Sequence, residues 1–131
     1  MKPAALHHLP QLARWALALV CAAAALPVVA AGDASRGAEA YGARCGACHS
    51  VEADRVGPRH AGVVGRRAGS IAGFEYSPAL KASKIVWDAK ALEQWLTNPE
   101  SLIPGQRMGY SLDDAAMRAD VIAYLATLKP K

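Results

Sequence analysis

Cys45-Gly46-Ala47-Cys48-His49 places two thiols three residues apart and an imidazole directly after them. These three groups suit one chemistry above others: both sulfurs bond covalently to a haem while the histidine takes an axial position on its iron. On a helix these residues stand at i, i+3 and i+4, so they leave one face within about one turn, ~5.4 Å. Gly46 and Ala47 keep the opposite side small.

Three other uses of the same groups compete. A redox-active Cys-x-x-Cys sits at a helix N-terminus after a strand, where the dipole lowers the thiol pKa. Here the motif ends a helical pattern and no strand pattern precedes it. A structural zinc site would take Cys45, Cys48, His49 and His60 as its four ligands, yet adjacent Cys48 and His49 match paired-ligand spacings poorly and no second cysteine pair exists. A disulfide between Cys45 and Cys48 would close too small a loop to stabilise much. Haem attachment is the reading that the surrounding chain supports.

A haem held by one histidine leaves its sixth iron position to be filled or left open, which separates electron carriage from gas binding. Apart from Met1, the methionines are Met108 and Met117. Met117 falls on an apolar helical stripe, where packing explains it. Met108 follows Ile103-Pro104-Gly105-Gln106-Arg107 in a loop, 59 residues past His49, far enough for the chain to pass around a disc and present a thioether from the other side. A lone methionine also serves as a flexible gap-filler, so chemistry alone leaves the sixth position open.

These groups need a scaffold. Residues 1–14 are mildly basic and residues 15–31 form an uncharged, alanine-rich run ending in Val28-Val29-Ala30-Ala31. This predicts a secretory signal peptide over residues 1–31, cleaved after Ala30 or Ala31, and hence a periplasmic protein. Retention as a membrane anchor is the rival: the run reaches only the lower edge of the ~17–25 residues a span requires, and Pro27 interrupts it. Cys21 leaves with the leader, so no disulfide framework remains. With Lys2 and Arg14 set aside, 13 basic residues face 11 acidic ones, a net of +2 that two haem propionates would cancel. Nothing here argues for nucleic acid.

Residues 32–131 then read as one domain. Asp33 caps a helix over residues 34–44 that runs into the motif. Within it, Gly37 and Tyr41 share a face, and a helical glycine, costing ~1 kcal/mol against alanine, signals a close neighbour. Residues 50–87 are rich in glycine and keep no period, which counts against a compact domain unless a large apolar disc gives the loops something to wrap. Ser77-Pro78 predicts a short helix to about Lys84. Asp88 caps a helix with Leu92, Trp95 and Leu96 as its stripe, stopped by Asn98-Pro99, and residues 102–110 read as a loop. Ser111-Leu112-Asp113-Asp114 resembles a capping box opening the last helix, with Met117, Val121, Tyr124, Leu125 and Leu128 along one side.

Taken in order, these residues resemble the class I cytochromes c, most closely the group joining mitochondrial cytochrome c with bacterial cytochrome c2. The likeness covers residues 32–129. Besides the motif it rests on Val56-Gly57-Pro58, Gly62, Gly65-Arg66, Gly73-Phe74-Glu75-Tyr76-Ser77, Trp87, Leu96-Thr97-Asn98-Pro99, the run ending in Met108, and Ile122-Ala123-Tyr124-Leu125. The resemblance implies an all-α fold of about four helices and long loops around one covalent haem c. It implies attachment through Cys45 and Cys48, and His49 and Met108 as the metal ligands. Pro58 would accept the hydrogen bond from the second nitrogen of His49. Arg66, Tyr76 and Trp87 would hydrogen-bond a buried propionate, which needs such partners. Trp95 would lie near Met108, and Gly37 and Tyr41 would pack against Tyr124.

Several positions depart from that pattern. Arg59 and His60 stand where the family has Asn and Leu, which makes His60 either a satisfied or surface histidine or a competitor for iron. Leu80 replaces an asparagine, and the lysine ring around the haem edge is thin, so steering by charge is expected to be weak. The expected protein is a monomeric one-electron carrier, not an enzyme, working between exported or membrane-bound redox proteins of a respiratory or photosynthetic chain. It would touch a membrane only if the leader stays. A haem protein with a labile methionine that binds gases or has peroxidatic activity, and a cytochrome subunit of a larger redox enzyme, are the alternatives.

Overall fold

A computed structural model describes residues 31–130, so the expected leader and Cys21 lie outside the described residues except for Ala31. Among the described residues five helices follow in chain order: α1 (Ala34–Arg44), α2 (Pro78–Ala82), α3 (Ala89–Thr97), α4 (Pro99–Leu102) and α5 (Ala115–Thr127). Among the described residues the only extended pairing is an isolated antiparallel bridge between Arg67 and Val86. No helix among them is long and apolar enough to cross a membrane.

Local capping chemistry explains each start. Carboxylates of Asp33, Asp88 and Asp114 accept from the N–H groups of Arg36, Ala91 and Met117 at 2.8, 2.7 and 2.9 Å. Ser77 Oγ accepts from Leu80 N–H at 3.1 Å, with Pro78 at the first helical position. The structure corrects three boundaries. α2 ends at Ala82, short of Lys84. Asn98 closes α3 and also caps α4, a single turn in a stretch without a helical assignment from sequence. α5 is capped by Asp114 and not by Ser111. Leu112 is buried and its N–H donates to Leu96 O at 2.7 Å, so residues 111–113 are drawn across α3 before helix can begin.

The frame of the molecule is the crossing of α1 and α5. Gly37 makes it possible: a Cβ there would overlap the Asp120 carbonyl of α5 and meet the Tyr124 side chain. One turn on, the Tyr41 and Tyr124 rings pack at 5.3 Å between centroids. α3 packs against the same α5, bringing Leu92, Trp95 and Leu96 into one core with Tyr41, Val121 and Leu125.

Two charged residues inside this frame have structural work. Arg118 is buried, donating from Nε to Glu93 at 2.8 Å and from Nη1 to the carbonyls of Leu112 and Asp113 at 2.7 and 2.9 Å. It therefore ties α3, α5 and the segment between them. Asp120 receives the Asp33 N–H at 2.6 Å and two Arg36 donors at 2.8 and 2.9 Å, latching the start of α1 to α5.

Those hydrogen bonds hold the Asp120 carboxyl below its ordinary value, the Arg36 guanidinium being the main cause. A depressed folded-state pKa gives stability that is present above the unfolded pKa, ~3.9, and is lost as pH falls through the lower folded value. Asp120→Asn should thus be less stable than the parent at neutral pH and lose less on acidification below about pH 4. Acid unfolding followed by far-ultraviolet circular dichroism checks this, and parallel acid profiles for the two proteins would refute the latch.

Candidate haem-binding site

α1 delivers the motif. Cys45 caps its C-terminus through an N–H bond to Tyr41 O at 2.8 Å, and the chain keeps a turn beyond it. Within that turn Cys48 N–H and His49 N–H both donate to Cys45 O, at 3.1 and 2.9 Å. Arg55 closes the turn from outside, donating to Gly46 O at 2.5 Å. The helical spacing of Cys45, Cys48 and His49 thus survives past the helix end.

This geometry disposes of the rival uses. Burial pushes the Cys45 thiol up to about 11, with Cys48 adding to the effect, the reverse of what a redox-active nucleophile requires. Cys45 and Cys48 are not joined to each other by a disulfide. Among the described residues no three His, Cys, Asp or Glu side chains converge as a metal site would need.

His49 Nδ1–H donates to Pro58 O at 2.9 Å. That bond fixes the tautomer and leaves Nε2 with its lone pair available for a metal. Burial lowers the His49 pKa against the opposing pull of the Pro58 carbonyl, which favours the neutral, ligating form. Gly57 sits beneath the ring so closely that a Cβ would overlap the imidazole itself.

His60 lies flat on His49, ring centroids 4.2 Å apart and planes inclined by 21°. Its Nδ1 is joined to Tyr41 Oη by a 3.0 Å hydrogen bond. Burial, His49 and Arg66 push its pKa down to about 3. His60 is therefore the satisfied histidine of the two expectations. It lines the same cavity as His49, with its Nδ1 engaged by Tyr41.

Met108 enters from another wall, on the loop after α4. Trp95 Nε1–H of α3 donates to its Sδ at 3.2 Å, and Trp95 packs edge-on to Trp87 at 5.2 Å. The loop is braced by Glu100, which accepts from Gly105 N–H at 2.9 Å, and by the Gln106 side-chain oxygen, which accepts from Met108 N–H. Between these walls lies a cavity of about 510 Å³. Cys45, Cys48, His49, Pro58, Arg66, Tyr76, Trp87, Trp95 and Met108 all line it, and Met117 does not.

The cavity fits a flat apolar group with an acidic edge. Its walls are mainly apolar, both thiols and the imidazole face it, and Arg66 and Tyr76 share one side. Arg66 gives one N–H to Ala61 O and one to Arg59 O, both at 2.8 Å, leaving three of its five donors for a carboxylate. Sequence reasoning missed the stack of His60 on His49, the need for glycine at 57, and the buried Arg118. The first two arise only when distant turns meet, though Gly57 beside Pro58 was a visible hint.

Two thiols and a tethered imidazole on one wall of such a cavity, with a thioether on another, define a haem protein of the c type. The Cytochrome c family profile matches residues 34–129. The chain is 42% identical over 100 residues to Cytochrome c 2.1 of Caenorhabditis briggsae, covering 74% of this chain and 89% of that one. It is 43% identical to Cytochrome c2 of Rhodomicrobium vannielii over 102 residues, covering 75% and 81%. Among solved structures, cytochrome cH from Methylobacterium extorquens superposes with a TM-score of 0.69 at 43% identity, over 73% of this chain and 99% of that one. The chain belongs to the cytochrome c family, in the bacterial c2 group, and its cofactor is haem c, attached through Cys45 and Cys48.

Proposed function

We propose that this protein is a periplasmic one-electron carrier whose haem iron is held by His49 and Met108 in both oxidation states. The haem, when bound, supplies the Fe(III)/Fe(II) couple. The chain's own contribution is to keep both ligands still. Pro58 holds the imidazole from behind and Trp95 holds the thioether through its second lone pair, which is the observation that carries the reading. A neutral, soft sulfur on the iron favours the ferrous state and so a raised potential. Arg66, Tyr76 and Trp87 are assigned to a propionate. Exchange would occur at the cavity mouth near Val56 and Tyr110, 80% and 39% exposed, through the small transient contact typical of redox partners.

The test is the visible spectrum of the reduced, haem-loaded protein with and without carbon monoxide. An unchanged spectrum supports a firmly held sixth ligand. Rapid formation of an adduct overturns it in favour of gas binding or peroxidatic work. Stable copurification with a catalytic partner would instead make the protein a subunit of a larger redox enzyme.

Trp95→Phe keeps an aromatic ring while removing the indole N–H and its five-membered ring. Losing one hydrogen bond of about 1 kcal/mol should speed carbon monoxide uptake about 5-fold. Stopped-flow mixing measures it, and an unchanged rate would mean that Trp95 only fills space.

A further inference from the structure

We propose that His60, held by Tyr41, is a positioning residue that sets the plane of the His49 imidazole. The inference rests on His49 being an iron ligand. A histidine ring bonded at one nitrogen can still rotate about the axis through its metal-binding atom, and the angle it takes relative to the haem decides how its π orbitals meet those of the iron. In this chain the Nδ1 bond to Pro58 O restrains one edge of the ring. The flat face is restrained separately. His60 lies on it at 4.2 Å, nearly parallel, and cannot slide away because Tyr41 Oη holds its Nδ1 at 3.0 Å.

Tyr41 is itself fixed. It is buried in α1, packs edge-on to His60 with centroids 5.6 Å apart, and meets Tyr124 of α5 at 5.3 Å. Gly57 closes the approach to the imidazole, where even a methyl group would overlap it. The imidazole is thus held by a carbonyl at its edge, the backbone of Gly57 and a second imidazole on its face. A chain of contacts runs from the α1–α5 crossing through Tyr41 and His60 to the ligand. Packed aromatic contacts transmit position because interiors are dense and yield little.

The experiment compares haem-loaded parent, His60→Leu, His60→Phe and Tyr41→Phe by electron paramagnetic resonance of the ferric form, by hyperfine-shifted proton spectra and by potentiometry. The low-spin g-anisotropy and the order of the haem methyl shifts report the plane of the axial imidazole, which a merely structural role would leave alone. His60→Leu removes the flat partner and should reorder the methyl shifts and move the potential. His60→Phe restores a stacking face and should return the pattern toward the parent. Tyr41→Phe, which loses only the hydroxyl, should broaden it. Parent-like methyl shifts and g-values in His60→Leu would overturn the inference while leaving His49 ligation intact. A high-spin parent would instead overturn the ligation and the inference together.

Discussion

Gly57→Ala should abolish normal low-spin haem ligation. The added methyl would occupy the same space as the His49 ring, and neither side can give way easily. Gly57 N–H donates to Cys48 O at 2.8 Å and Gly57 O accepts from Arg55 N–H at 2.9 Å, so its backbone is stitched in both directions. The imidazole in turn is held by Pro58 O at 2.9 Å. Relief requires breaking one of these bonds or rotating the ring out of place, each costing on the order of 1–3 kcal/mol. The expected protein attaches haem poorly, and what it attaches is high-spin. A Gly57→Ala variant with the parent's spectrum and yield would show that the ring has more room than the structure gives it.

Gly37→Ala should lower stability, and here the sign of the effect is the test. Inside an isolated helix the change is worth about 1 kcal/mol of stabilisation, because alanine gives up less backbone freedom than glycine. At the crossing, the same methyl would overlap the Asp120 carbonyl, which is backbone and fixed within α5. Overpacking of this kind costs about 1–3 kcal/mol and occasionally more, enough to reverse the propensity gain. The melting temperature is expected to fall, on the order of 10 °C for a net loss of about 2 kcal/mol. A rise in melting temperature would mean that α1 and α5 stand farther apart. The variant should keep its ligation, which separates it from Gly57→Ala.

Both glycines were visible in the sequence, but only one announced its purpose. Gly37 interrupts an alanine-rich helix, so its cost demanded a neighbour, and that neighbour is α5. Gly57 lies in a stretch where glycine is common, so its place beside Pro58 marked a motif without showing that the His49 ring lies against it. Chemistry with a local cause was legible throughout: Asp33, Ser77 and Asp88 cap the helices they were expected to cap, because a capping bond spans only three residues. The start of α5 was misread because Ser111 satisfies the local pattern while Leu112, pulled to Leu96 and Arg118, obeys a tertiary one. Arg118 and Asp120 were illegible for the same reason, since their partners lie on α3, α1 and the segment before α5. The ordered motifs from Cys45 to Tyr124 carried the family and the cavity lining, yet not the stacking of His60, which depends on the hydroxyl of Tyr41 reaching Nδ1 of the His60 ring.

The bond from Leu112 N–H to Leu96 O, at 2.7 Å, makes the segment that carries Met108 a closed loop. Closing some fifteen residues into a ring costs about 2 kcal/mol of chain entropy, and here that cost is met at the base of the loop, independently of whether the thioether is bound. If Met108 is the iron ligand we propose and lets go, it remains tethered at both ends and returns as an intramolecular ligand. An outside ligand must then compete with an effective concentration in the millimolar range, so weak ligands at micromolar levels should be turned away by tethering alone.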